Sequence, residues 1–177
     1  IATGGVWTGV TSGAEVLVSG GSGTLSIGAA VANIGARSID VQGKTGGSVT
    51  FSGPVTDIGA GIHLESNGGA AIAFTGGLAL NTGASPAFTA IGGGTVTATQ
   101  DNTSIVNTIA TTSGTALNVA NTEIGVAGLT FRSITAGTST YSAGVAVILD
   151  HTGVAGANGG LSVVGNGAAN SGGRLRR

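Results

Sequence analysis

A repeat of short apolar segments separated by glycine-rich turns is the feature that most restricts how this chain can fold. Ser48–Phe51 recurs 23 residues later as Ala71–Phe74, and Gly61–Leu64 is followed 24 residues later by Ser85–Phe88. A later copy begins at Thr115 after a longer interval. A unit of about 23–30 residues, made of short strands and tight turns, has the length of one coil of a three-sided parallel β-helix.

The predicted fold is therefore all-β: a right-handed parallel β-helix, or three-sided β-solenoid, of about five to seven coils. Alternate side chains of each strand face inward, so Ile72 and Phe74 are expected inside and Ala73 outside. Equivalent positions of successive coils stack about 4.8 Å apart. Phe51 and Phe74 are accordingly predicted to share one internal column, with Ala98 at the next level.

The turns between strands are expected to form equivalent corners. Glycine at a corner supplies the positive φ angle that a sharp turn requires. Polar side chains at one corner are predicted to stack into a hydrogen-bonded ladder formed by Asp57, Asn81 and either Asn107 or Thr108.

Later coils are longer than earlier ones, and the added residues are assigned to 121–127 and 136–144. Insertions of this kind are expected to form loops on one side of the rod, where binding usually occurs. Tyr141 lies in the second loop, and its ring is expected to pack on the flank of the rod. Stacking of the ring on a sugar is the alternative.

Composition excludes several classes of protein. Only 7% of residues are charged and the net charge is −1, so a nucleic-acid partner is not expected. No apolar run approaches the roughly 18 residues of a membrane-spanning helix. Glycine is abundant, with 36 residues, but it alternates with β-branched runs and has no strict three-residue period, which argues against both disorder and collagen.

The chain is predicted to be one β-solenoid segment over residues 1–173, followed by a basic tail at 174–177. Arg174, Arg176 and Arg177 form the only basic cluster in the sequence. Because the chain begins at Ile1, it is expected to be a fragment of a longer polypeptide. The absence of cysteine and the scarcity of lysine and glutamate favour an extracellular or cell-surface location.

The repeat units resemble the β-strand repeats of large bacterial surface proteins, including autotransporter passengers and filamentous-haemagglutinin-like adhesins. The segments that carry this resemblance are 46–57, 70–77, 115–122 and 128–134, and the similarity extends over about residues 45–173. The resemblance implies secretion, a rod architecture and a role in adhesion, surface coating or fibre formation.

Residues suited to catalysis are scattered. The seven carboxylates are expected to be isolated and solvated: Glu15, Asp40, Asp57, Glu65, Asp101, Glu123 and Asp150. Glu65 and Asp150 are predicted to be equivalent, but Thr89 and Ala120 occupy the two coils between them. Their separation of about 14 Å, or three coil spacings, is too long for a catalytic pair.

Metal binding and water ordering are also disfavoured by the sequence. His63 and His151 are expected to be surface residues without further ligands beside them. The segment 20–25 begins like a calcium-binding β-roll repeat but has Leu25 where the aspartate ligand belongs. An ice-binding array of Thr50, Thr97 and Thr130 would be interrupted by Ala73. No catalytic, cofactor-binding or metal-binding residue is therefore assigned.

The sequence favours a non-catalytic extracellular rod, structural or adhesive, that could assemble end to end into a surface fibre. Its expected partners are neighbouring β-helix coils or identical subunits, with host or matrix glycans as a further candidate. The alternative is a β-helix enzyme that binds or cleaves polysaccharides, like a lyase or hydrolase, with its site partly outside this segment.

Overall fold

The computed structural model describes residues 5–153 and 158–176. The described residues form β-strands, turns and bends, and none of them is helical. In chain order the strands are β1 (Val6–Thr8), β2 (Ala14–Ser19), β3 (Leu25–Ile27), β4 (Ala30–Asn33), β5 (Arg37–Gln42), β6 (Ser48–Phe51), β7 (Val55–Asp57), β8 (Ile62–Glu65), β9 (Ala71–Phe74), β10 (Leu78–Gly83), β11 (Phe88–Ile91), β12 (Thr95–Ala98), β13 (Asn107–Thr111), β14 (Leu117–Ala120), β15 (Glu123–Phe131), β16 (Ser133–Ala136), β17 (Val147–Asp150) and β18 (Leu161–Val163).

These strands build three parallel sheets of six strands each. Sheet I contains β1, β4, β7, β10, β13 and β16; sheet II contains β2, β5, β8, β11, β14 and β17; sheet III contains β3, β6, β9, β12, β15 and β18. The chain visits sheets I, II and III in turn, so every three strands complete one coil. The protein is thus a three-sided β-solenoid of about five turns, as the repeat predicts.

The interior is formed by the inward-facing residues of all three sheets. Phe51 pairs with Phe74, and Phe74 pairs with Ala98, as predicted. The rings of Phe51 and Phe74 stack with centroids 5.1 Å apart and planes 8° apart. Phe88, from sheet II, meets Phe74 edge-on at 5.6 Å. Strict alternation in short strands therefore places the largest side chains in the centre of the rod.

The predicted alignment of 61–64 with 85–88 is wrong by two residues. Phe88 pairs with Ile62, whereas a shift of 24 residues would place it opposite Leu64. The reason is the length of β10, which continues to Gly83, while β7 ends at Asp57 opposite Leu80. Because the strand on sheet I is longer, the next strand on sheet II begins at a later position in the sequence.

The predicted ladder of polar side chains at the corner is also wrong. Asp57 pairs with Asn33 in the preceding coil and with Leu80 in the following one. Asn81 pairs with Ala110, and Asn107 with Leu78, so none of these stacks on Asp57. The longer β10 and the later insertions shift the coils relative to one another.

Hydrogen bonds from side chains to the backbone hold this corner instead. The buried Asp57 carboxylate accepts hydrogen bonds from the backbone N–H of Ser38 at 2.7 Å and of Gly59 at 2.6 Å. In the coil before, the side-chain oxygen of Asn33 accepts a hydrogen bond from the N–H of Gly35 at 2.8 Å. Each side chain accepts a hydrogen bond from a backbone N–H of the turn that follows it, as aspartate and asparagine commonly do at turns.

One predicted insertion is confirmed and the other is not. Residues 137–144 contain no strand and connect sheets I and II, as expected of a loop. Residues 123–127 belong to β15, where the extra residues bulge out of the sheet: Val96 pairs with Ile124, but Ala98 pairs with Leu129. An insertion that the sequence reading missed lies at 99–106, where Arg132 Nε donates to Asn102 Oδ1 at 2.7 Å.

The residues assigned to the basic tail continue along sheet I. Leu175 forms a parallel bridge with Ala136, and the N–H of Arg176 donates to the carbonyl of Ala136 at 2.8 Å. Residues 1–4, 154–157 and Arg177 lie outside the described residues. The boundary between a solenoid at 1–173 and a tail at 174–177 stays a prediction.

Candidate functional site

The carboxylates are less isolated than the sequence suggests. Besides Asp57, which is fully buried, Glu15 is engaged: its Oε1 accepts hydrogen bonds from the N–H of Val10 at 2.8 Å and from the amide of Asn33 at 3.0 Å. These carboxylates satisfy backbone and amide donors at a corner. The prediction of solvated, isolated charges is therefore wrong for both, and their role is structural.

A charged cluster lies on the outer face of sheet II. Asp40 and His63 pair across β5 and β8, and His63 Nδ1 lies 3.1 Å from Asp40 Oδ1. Arg37 Nη1 is 3.3 Å from Asp40 Oδ2, and Gln42 Nε2 donates to Asp40 Oδ1 at 2.7 Å. The other ring nitrogen of His63 lies 3.7 Å from Glu65 Oε2. His63 faces outward as predicted, but it is mostly covered by its neighbours.

This cluster changes the acidity of Asp40. Burial raises the pKa of the Asp40 carboxyl, but hydrogen bonds from Gln42 and His63 and the positive charges of His63 and Arg37 lower it more. The net effect is a pKa below the ordinary value of 3.8. The ionised carboxylate is thus the form that the folded protein prefers, which suits an ion-pair centre and not a proton donor.

We expect acid to weaken the fold partly through this carboxylate. Because the pKa of Asp40 is lowered on folding, its stabilisation is present above pH 3.8 and is lost as the pH falls through the folded-state pKa. In the His63→Ala variant the pKa of Asp40 should rise, since one hydrogen bond and one positive charge are removed. A carbon-13 NMR titration of the side-chain carboxyls measures both values. His151→Ala is the control, and equal Asp40 titrations in the parent and His63→Ala would contradict the expectation.

Glu65 and Asp150 occupy equivalent positions, as predicted, and are too far apart to act together. The column runs from Glu65 through Ile91 and Ala120 to Asp150. Ile91, and not Thr89, fills the first intervening coil, because Thr89 pairs with His63. Three coil spacings, about 14 Å in all, separate the two carboxylates.

The outer face of sheet III carries the threonine column considered for ordering water. Thr50 pairs with Ala73, and Ala73 pairs with Thr97, so the predicted interruption is present. Beyond Thr97 the bulge in β15 breaks the register before Thr130. The face is therefore not a continuous threonine array.

A groove of about 700 Å³ lies along the corner between sheets II and III. Glycines from successive coils line it, together with alanine, threonine and three larger polar side chains. The lining residues are Gly47, Gly69, Ala70, Ala71, Gly93, Gly94, Thr95, Asn121, Glu123, His151 and Gly153. We call this surface the corner groove.

The floor of the corner groove cannot be filled by side chains. A Cβ atom on Gly47 would lie 2.3 Å from the carbonyl oxygen of Ser22, and one on Gly94 would lie 2.3 Å from that of Asn67. Both residues also have positive φ angles, 70° and 84°. Close stacking of the coils therefore requires glycine here, and the carbonyls of Gly47 and Gly94 accept hydrogen bonds from the N–H groups of Ala71 and Glu123 in the next coil.

The polar wall of the groove comes from the last coils. His151 follows Asp150 at the corner, as predicted, and is highly exposed; its Nδ1 lies 2.6 Å from Asp150 Oδ1. The side chains of Asn121 and Glu123 make no hydrogen bond to other described residues and are open to solvent. Sequence reading missed this set. The signal available in the sequence was that Asn121 and His151 follow strands at a position where three of the other four coils have glycine.

Two further expectations concern aromatic and metal sites. Tyr141 is 62% exposed in the loop at 137–144, and both the packing of its ring on the rod and sugar stacking stay predictions. Within the described ranges, no three or more histidine, aspartate or glutamate side chains are grouped so that they could hold a metal ion. The same ranges contain no helix long and apolar enough to cross a bilayer.

Three stacked parallel sheets with glycine-lined corners place this protein in the class of parallel β-solenoids. Comparison with protein families, with curated proteins and with solved structures finds no match to any of them. The class therefore rests on the geometry of the chain itself.

Proposed function

We propose that the protein is a non-catalytic structural rod of the cell surface or extracellular space, whose coils stack on further coils or on identical subunits. The observation that carries this proposal is the exposure of inward-facing apolar side chains in the first and last coils. Leu25, Leu149 and Val163 occupy inward-facing positions whose column partners in the adjacent coil are fully buried. They nevertheless are 38%, 45% and 42% exposed, because no described coil covers them.

The strands at the two ends are also suited to pairing with each other. β17 and β18 have the same in-out alternation as β2 and β3, so that Leu161–Val163 could continue onto Leu25–Ile27. Open strand edges of this kind template further pairing unless they are covered. A head-to-tail contact between identical subunits does not close on itself and produces filaments.

The resemblance to bacterial surface repeats supports an adhesive or fibre-forming role and an extracellular location. Three engaged carboxylates support a non-catalytic role, because Asp57 and Glu15 serve corners and Asp40 belongs to an ion-pair cluster. The alternative of a polysaccharide-cleaving enzyme needs two carboxylates facing one substrate. The column from Glu65 to Asp150 does not supply them.

We expect end-to-end assembly to be visible as cross-linking in one register. The chain has no cysteine, so the double variant Ser26→Cys with Ser162→Cys carries only the added thiols. If β3 of one subunit pairs with β18 of the next, the two Cα atoms lie about 4.8 Å apart, within disulfide range. Oxidation should then yield a ladder of covalent oligomers on denaturing gels, and micrographs should show chains.

The matched control is Thr50→Cys with Ser162→Cys, which moves the first thiol one coil further from the interface. The expected Cα separation of about 9.6 Å is beyond disulfide reach. Equal cross-linking in both variants, or monomeric sedimentation at high protein concentration, would overturn the end-to-end arrangement.

A further inference from the structure

Each strand of sheet II is followed at once by a residue with a left-handed backbone. The six residues and their φ angles are Gly20 (68°), Gly43 (64°), Ser66 (56°), Gly92 (77°), Asn121 (50°) and His151 (49°). Glycine adopts this conformation without penalty, whereas for other residues the left-handed backbone costs about 1–2 kcal/mol of conformational free energy. Asn121 and His151 therefore hold side chains at positions where glycine would stabilise the fold.

Both of these side chains line the corner groove, and Ser66 does not. The two corners are directly stacked, since the N–H of Asn121 donates to the carbonyl of Asp150 at 2.9 Å. His151 is oriented by Asp150 through its Nδ1 contact, and 78% of its side chain is exposed. Glu123 stands beside them on the same wall of the groove. Three polar side chains thus line one groove, and no hydrogen bond to another described residue engages the amide of Asn121, the carboxylate of Glu123 or Nε2 of His151.

The chemistry of the lining limits the ligand. The described lining residues include no lysine, arginine, phenylalanine, tyrosine or tryptophan, and Glu123 adds negative charge. Anionic polymers such as uronates would be repelled, and these residues offer none of the large aromatic rings on which sugars commonly stack. Threonine hydroxyl, asparagine amide, imidazole and carboxylate groups all hydrogen-bond to hydroxyl groups.

The shape of the groove favours a linear ligand. Its lining runs from Gly47 to His151 through five successive coils, which is about 19 Å along the rod. An extended peptide would need an open strand edge. The strands beside the groove floor, β9 and β12, are paired on both sides and offer none.

We propose that the corner groove binds an uncharged oligosaccharide chain laid along the rod axis, with Asn121, Glu123 and His151 as its hydrogen-bonding wall. This site goes beyond the rod function, which needs no ligand. The groove runs along a side of the rod and reaches the last coil at His151, so binding is measured on the monomeric protein.

The test is isothermal titration of the monomeric fraction with linear neutral hexasaccharides of glucose, mannose and galactose, and with a hexamer of galacturonate. At least one neutral hexasaccharide should bind, and the galacturonate hexamer should bind at least tenfold more weakly. Asn121→Gly and His151→Gly should each weaken binding at least tenfold while raising the unfolding temperature. Glu123→Gln should weaken it severalfold without changing the fold.

Ser66→Gly is the matched control, because it relieves the same backbone conformation outside the groove. It should raise the unfolding temperature and leave the affinity unchanged. The proposal is overturned if no neutral hexasaccharide binds, if galacturonate binds more tightly, or if Asn121→Gly and His151→Gly bind like Ser66→Gly. Cross-linking of the coil ends is measured separately, so a failure of assembly and a failure of binding are distinguishable.

Discussion

Replacing Gly76 with alanine is expected to lower the free energy of unfolding by about 3 kcal/mol or more, because the packed backbone leaves no space for the added methyl group. A Cβ atom on Gly76 would lie 2.3 Å from the carbonyl oxygen of Gly53 and 2.4 Å from that of Ser52. Both contacts are with backbone, so no side-chain rotation relieves them. Only a separation of two adjacent coils can make room, and that separation breaks hydrogen bonds between strands.

The matched control for this change is Gly68→Ala. Gly68 is exposed, and a Cβ atom there would meet nothing within 4 Å. Alanine at 68 should leave stability unchanged or raise it slightly by reducing the freedom of the unfolded chain. Thermal unfolding followed by circular dichroism measures both variants. For a chain of this size, about 3 kcal/mol corresponds to a fall of roughly 6–12 °C. Similar unfolding temperatures for the two variants would contradict close packing at Gly76.

The sequence predicts glycine at the corners, but it does not show why each corner requires glycine. Positive φ was the expected reason, and it holds for Gly47 and Gly94. Gly53, Gly76 and Gly114 lie outside the left-handed region, and glycine is required there because a Cβ would meet a carbonyl of the preceding coil. That contact joins residues more than 20 positions apart. It cannot be identified until the register between coils is known.

The same distinction explains which parts of the fold were predictable. In-out alternation is local, so the column of Phe51, Phe74 and Ala98 follows from three short segments of similar sequence. Equivalence between coils is not local, because each extra residue in a strand or corner shifts all later positions. The ladder from Asp57 to Asn107 failed at the two coils where such residues occur, in β10 and at 99–106.

The candidate site could not be predicted from the sequence for a related reason. Glu123, Asn121 and His151 belong to no catalytic sequence motif, and the sequence pattern predicts a loop at 121–127. Their proximity depends on the register of β14 on β17, which sets Ala120 opposite Asp150, and on the pairing of Glu123 with Thr95. Likewise, the pairing of Asp40 with His63 needs the register of β5 on β8, although both positions are visibly outward-facing in the repeat.

Replacing Phe74 with alanine is expected to have the other large effect, about 3–5 kcal/mol. Its side chain is 1% exposed and lies in the third coil, with Phe51 stacked on one side and Phe88 edge-on. The loss combines the buried area of the ring, the cavity that remains, and about 0.5–1.5 kcal/mol for each aromatic contact. Phe131→Ala is the control, because Phe131 is equally buried but takes part in neither of these ring contacts.

The location of Phe74 should also change how the rod unfolds. In a solenoid each coil contacts only its neighbours, so stability is carried by the interfaces between adjacent coils. Weakening the interfaces on both sides of the third coil should lower amide hydrogen-exchange protection in β6, β9 and β12 more than in β13, which lies further along the rod. A uniform loss of protection in all strands would instead mean that the rod unfolds as one cooperative unit. Phe131→Ala should show the opposite gradient, with protection lost first in β15 and β18, which pair at its level.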